Sequence, residues 1–151
     1  MENKLMIISS YMRAEHRKCD ELFTSAEKSV IEGDFDQAEK EFLLFSNDTL
    51  THFKKEEEAL FPTFEEITAN TEGPTRMMRY EHEQMRGLIG RMAEAIENKD
   101  KDAYLSIAES MMILLQQHNM KEEQMLYAMC DRTIPQDKKE SVIETMKTIE
   151  F

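Results

Sequence analysis

Sliding the chain against itself by 66 residues brings its four histidines into register in pairs, and this constrains the fold more than any other feature. Met12-Arg13-Ala14-Glu15-His16 falls on Met78-Arg79-Tyr80-Glu81-His82, and the segment from His52 to Phe61 falls on the segment from His118 to Tyr127. Between residues 12 and 61 there are twelve ungapped identities, at 12, 13, 15, 16, 22, 34, 36, 52, 55, 56, 57 and 60. The two halves, about 5–70 and 75–130, answer to one geometric demand. Each reads as a helical hairpin. Leu5, Ile8, Met12, Cys19, Leu22, Phe23, Ala26 and Val30 recur near the 3.6 period of an amphipathic helix. Glu32-Gly33-Asp34-Phe35 is a turn, with Asp34 the N-cap of the next helix and Gln37 completing a capping-box pattern. Ala38, Phe42, Phe45, Thr49, His52 and Phe53 continue that helix, which Pro62 is expected to bend or end soon afterwards.

Thr71-Glu72-Gly73-Pro74-Thr75 is the strongest break and joins the halves. A third helix is expected over 75–98, a turn at Asn98-Lys99-Asp100-Lys101, and a fourth helix to about Cys130. Gly87 and Gly90 suggest a close helix contact. A short fifth helix, about 136–149, lies outside the repeat. The whole, 1–151, is expected to be one domain: all-α, an up-down-up-down four-helix bundle from a duplicated hairpin, plus a C-terminal helix. With only four Gly and three Pro, a turn-rich β fold is disfavoured.

The histidine spacing then suggests chemistry. His16 and His52 are equidistant from residue 34, and His82 and His118 from residue 100. In an antiparallel hairpin such residues lie side by side, at about 1.5 Å per residue roughly 27 Å from the turn. Glu56 and Glu122 each follow a histidine by four and share its helix face. One level of the bundle interior therefore collects His16, His52, Glu56, His82, His118 and Glu122. A single histidine on an apolar face reads as a hydrogen-bonded core residue; four at one spacing, two followed by Glu at i+4, read as metal ligands. Buried carboxylates without partners are costly, and a pair of cations compensates them. With each Glu bridging, the six side chains give about eight bonds of the roughly twelve that two six-coordinate ions take, leaving about four positions open. The mixed N/O set suits iron or manganese, with zinc as a substitute.

Around these six, Glu15 and Glu81 stand about 100° from the neighbouring histidine, so surface positions are favoured, with orientation of the ligands or iron entry as the alternative. Glu57 and Glu58 point about 140° and 240° round from His52, towards solvent. Met12, Met78, Met85 and Cys19 should wall the site, with Cys19 open to oxidation. Tyr127, paired with Phe61 by the repeat, is a candidate pocket residue, with a redox role as the alternative.

The ordered pattern His…His-x-x-x-Glu…His…His-x-x-x-Glu resembles the hemerythrin-like, or HHE cation-binding, family over about residues 5–130. The Glu-His dyads at 15–16 and 81–82 and the Glu56-Glu57…Leu60-Phe61 stretch are similar too. The resemblance implies a non-haem di-iron centre, two Fe ions with an oxo or hydroxo bridge, held by His16, His52, Glu56, His82, His118 and Glu122. Oxygen-carrying members use a fifth histidine on the third helix, four residues from its partner; here Met78 and Arg86 stand at those distances from His82. The four-His, two-Glu set is more similar to iron–sulfur-repair di-iron proteins and iron-sensing hemerythrin domains, though the Cys-bearing N-terminal domain of the repair proteins is not part of this sequence.

The net charge of −12 argues against nucleic acid or an anionic membrane as partner. Cys19 and Cys130 form no CxxC pattern, and the first residues hold no apolar run of signal or span length, so a reducing, cytoplasmic setting is expected. The expected ligand is a small diatomic molecule (O2 or NO) or peroxide, in oxidative or nitrosative stress defence or iron–sulfur repair. Alternatives are O2 binding, storage or sensing, and an iron-responsive regulator whose helix 136–151 contacts a partner.

Overall fold

The computed structural model describes residues 7–150, so Leu5 lies outside the described residues. Helix α1 spans Ile8–Ile31. Helix α2 is continuous from Phe35 to Thr68: an α-helical stretch Phe35–Lys55, a π-helical turn Glu56–Leu60, and a final α-helical stretch Phe61–Thr68. Helix α3 spans Pro74–Glu97. Helix α4 repeats the form of α2, with Lys101–Lys121, a π turn Glu122–Leu126 and Tyr127–Thr133. Helix α5 is Gln136–Lys147. Each of the first four helices packs on two neighbours, α1 on α2 and α4, α3 on α2 and α4, which closes an up-down-up-down bundle.

The repeat is built from matched local devices. The amide of Gln37 donates to Asp34 Oδ1 at 3.1 Å, and that of Ala103 to Asp100 Oδ1 at the same distance, so each second helix begins with the same aspartate cap. Across the bundle, Asp131 near the end of α4 accepts from the Ile8 and Ser9 amides at 2.7 and 3.1 Å, supplying the open N-terminus of α1 with its missing acceptor.

Two apolar layers result. One, nearer the hairpin turns, includes Phe23, Phe42, Phe45, Met85, Met92, Tyr104 and Met111. The other includes Ile8, Met12, Leu60, Phe61, Met78, Leu126 and Tyr127, and is closed by Val142, Ile143 and Met146 of α5. Burying each such side chain stabilises the fold by roughly 1.5–3 kcal/mol. The apolar face of α5 is thus covered by the bundle itself, against α1 and the first π turn.

Two local expectations are corrected. Pro62 does not end its helix, which runs on to Thr68, because the ladder has already shifted there: Phe61 N–H bonds to the Glu56 carbonyl, five residues back, and the amide that proline lacks falls next to that shift. Gly87 and Gly90 mark no close helix contact, since a Cβ on either would meet nothing within 4 Å.

Candidate metal centre

Between the two apolar layers lie six buried polar side chains: His16, His52, Glu56, His82, His118 and Glu122, none more than 4 % exposed. Their donor atoms converge as two groups, Glu56–His82–His118–Glu122 and His16–His52–Glu122, the atoms within each group lying within 4.8 Å of one another. Glu122 is common to both groups, whereas Glu56 belongs to one.

Every imidazole is oriented in the same sense. The Nδ1 of each ring donates to a carboxylate: His16 to Glu123 and His82 to Glu57, both at 2.7 Å; His52 to Glu15 and His118 to Glu81, both at 2.8 Å. This holds Nδ1–H outward on every ring, so all four Nε2 atoms face inward, free to donate to a metal once they give up any proton. A carboxylate behind each imidazole is the arrangement that orients histidines towards a metal. The four carboxylates are themselves paired with cations, Glu123 with Arg13 at 3.6 Å. Lys55 pairs with Glu15 and Lys121 with Glu81, while Arg86 takes both oxygens of Glu57 at 2.7 and 3.0 Å. All of these pairings but the Arg13 and Arg86 bonds recur at the 66-residue offset.

Three orientations expected from helix arithmetic are therefore corrected. Glu15 and Glu81 are turned into the bundle against His52 and His118, and Glu57 against His82; Glu58 alone is exposed as expected. In a bundle each helix has two flanking neighbours, so a residue 100–140° from the core-facing direction enters the groove beside the next helix instead of reaching solvent. The sequence carried a signal for all three: positions 15 and 57 are among the twelve repeat identities.

The π turns shape the centre from within. Tyr127 N–H bonds to the Glu122 carbonyl five residues back, as Phe61 does to Glu56. In a regular α-helix residue i+5 lies about 140° away from residue i; the wider turn brings it round to the same face. Phe61 accordingly stacks on His82, with ring centres 5.8 Å apart, and Phe53 stacks on it more closely, at 4.1 Å. Tyr127 is fully buried, its hydroxyl 2.8 Å from Glu56 Oε2 and 2.9 Å from Glu122 Oε1. Met12, Met78 and Met85 fill the adjoining apolar layers. Cys19 is buried, and burial pushes its thiol up.

The charges fit a cation. Burial pushes the Glu56 carboxyl up and the charge of Glu122 pushes it further. Burial acts on Glu122 in the same sense, but the charge of His118 and hydrogen bonds from Glu56, His118 and His16 hold it well below the usual range. Burial opposes charging of His118, yet the Glu122 charge and hydrogen bonds to Glu122 and Glu81 raise it to about 10. Protons thus occupy the place of a positive ion. His118 Nε2 lies 3.3 Å from Glu122 Oε1 but out of line for a good hydrogen bond, and Glu122 Oε2 is buried with no hydrogen-bond partner. An orphaned atom of that kind, beside inward-facing imidazoles, is what a bound metal satisfies.

A helical bundle that encloses such a cluster between two apolar layers is a cation-binding fold. The family model described as hemerythrin HHE cation binding domain matches residues 7–130, and the chain belongs to that family. No curated protein and no solved structure matches the chain significantly.

Proposed function

We propose that the chain holds two iron ions and reacts with a small ligand (O2, NO or peroxide) in cytoplasmic defence against oxidative or nitrosative stress, or in iron–sulfur repair. The observation that carries this reading is the pair of donor groups sharing Glu122, with every histidine backed by a carboxylate. One ion would take His82, His118, Glu56 and Glu122, the other His16, His52 and Glu122. Glu122 would bridge them, and Glu56 would do so if its second oxygen turned from Tyr127. The donor set is nitrogen and oxygen without thiolate, which favours iron or manganese over structural zinc. When bound, the ions supply open coordination positions and accessible oxidation states. The chain's own part is to fix the imidazoles and exclude bulk water by the apolar layers.

Reaction is favoured over reversible oxygen carriage because α3 offers no further imidazole. Met78 is buried in the apolar layer and the Arg86 guanidinium is engaged by Glu57. That leaves the coordination of both ions more open. The net charge of −12 disfavours nucleic acid and anionic membranes as partners. Among the described residues, no helix is long and apolar enough to cross a membrane.

The test is elemental analysis of protein grown with iron and purified without metal resin. About two irons per chain, falling sharply in His52→Ala and Glu122→Ala, is the expected result. Titration with O2, NO and peroxide comes next. Catalytic loss of NO or peroxide supports the defence reading; stable reversible oxygenation supports storage or sensing instead. A folded chain that takes up no metal overturns the proposal.

A further inference from the structure

The two donor groups are unequal, four side chains against three, and the repeat shows where the difference lies. At the position after each π turn one half has Phe61 and the other Tyr127. The Tyr127 hydroxyl stands 3.1 Å from His16 Nε2, 3.3 Å from His52 Nε2 and 2.9 Å from Glu122 Oε1. The remaining separations among those atoms are 3.0 Å for His16–His52, 3.1 Å for His16–Glu122 and 4.0 Å for His52–Glu122. Donors on one octahedral ion, with bonds of about 2.1 Å, lie roughly 3 Å apart when adjacent and about 4.2 Å apart when opposite. Five adjacent edges and one opposite pair describe these four atoms, with His52 and Glu122 opposite.

We propose that Tyr127 is the fourth protein ligand of the His16–His52–Glu122 position, binding ferric iron through its phenolic oxygen. The proposal rests on the di-iron reading given above. On binding, the phenolic O–H bond breaks, its electron pair forms the oxygen–iron bond, and the proton combines with a hydroxide that enters from solvent with the iron and leaves as water. Phe61 offers no donor at the matching place, so the two ions become chemically distinct: His82–His118 is held by Glu56 and Glu122, and His16–His52 by Glu122 and a phenolate.

The test loads the full chain with ferrous iron, oxidises it in air, and records iron content, the visible spectrum and resonance Raman scattering. The expected result is a phenolate-to-iron charge-transfer band with enhanced phenolate ring modes. Tyr127→Phe should abolish both while the protein keeps helical circular dichroism and iron at the His82–His118 position. Tyr11→Phe, Tyr80→Phe and Tyr104→Phe should leave the band in place. Wild-type protein that binds its iron without band or ring modes overturns the proposal and leaves the di-iron reading standing. So does a band that survives Tyr127→Phe. A chain that binds no iron overturns both.

Discussion

Glu57 follows Glu56 by one residue, and its carboxylate serves the neighbouring helix α3, accepting from His82 Nδ1 at 2.7 Å while Arg86 holds both its oxygens. Arg86 and His82 keep that carboxyl at about 2, against the pull of burial. If Glu57 orients a metal ligand, Glu57→Ala should lower metal affinity roughly 10–100-fold. Exposed Glu58 provides the control, and Glu58→Ala should bind as wild type does. Competition with a chromophoric chelator, with circular dichroism as the folding check, reads both. Equal affinity in the two variants would make Glu57 an ordinary surface ion pair.

The two halves differ where they face the outside. His82 is enclosed by Phe53 and Phe61, and its carboxylate is neutralised by Arg86. Around His16 the positions equivalent to Phe53 and Arg86 are Asn119 and Asp20, and Asp20 is pushed up by burial and by Glu123. Asp20, Asn119 and Glu123 line an open groove of about 470 Å³. Metal should therefore leave in two phases under excess chelator, first from the His16–His52 position. Arg86→Ala should accelerate the slow phase and leave the fast one unchanged. Stopped-flow absorbance measures both; a single phase in wild type would show that the ions leave together.

The fold and the six buried side chains were legible in the sequence because they rest on spacing. Histidines equidistant from a turn meet in any antiparallel hairpin, and Glu at i+4 shares a face in any α-helix. The π turns were not legible, although the repeat alone marked Tyr127 as a pocket residue. Hydrophobic periodicity carries no mark of a single wider turn, so arithmetic at 100° per residue misses how Tyr127 comes to lie on the face of Glu122. Glu57 was missed, and Glu15 and Glu81 were placed at the surface ahead of their ligand-orienting alternative, for a different reason. Helix arithmetic gives a direction, and only the neighbouring helix decides whether that direction meets water or His52, His82 and His118.

Without metal, stability should depend on pH in both directions. Glu15 and Glu57 are held at about 2, below the ordinary 4.5; burial opposes this, and the partners His52 and Lys55, or His82 and Arg86, outweigh it. A lowered carboxyl stabilises fully above its ordinary value and loses that contribution as pH falls through about 2. His118 is raised from 6.5 to about 10, so its contribution is complete below 6.5 and lost as pH rises through about 10. Thermal unfolding in chelator should give the highest Tm between pH 4.5 and 6.5 and a decline on either side. Bound metal replaces the protons, so loading should abolish the alkaline decline. An alkaline limb identical with and without metal would show that His118 is not its source.

The matched turns offer a test of the repeat that does not involve metal. Gly33 and Lys99 occupy equivalent positions and both have left-handed backbones, with φ of 78° and 52°. For a residue with a side chain that conformation costs about 1–2 kcal/mol, and glycine avoids the cost at some loss of unfolded-state entropy. A Cβ at Gly33 would meet nothing within 4 Å, so only the backbone term separates the two turns. Lys99→Gly should therefore stabilise the bundle by about 0.5–1 kcal/mol and Gly33→Lys should destabilise it by about the same amount. The double exchange should return stability to near wild type, because the sites lie in separate turns and act independently. Urea unfolding followed by circular dichroism measures all three. A destabilised Lys99→Gly would mean that the Lys99 side chain makes a contact stronger than its strain.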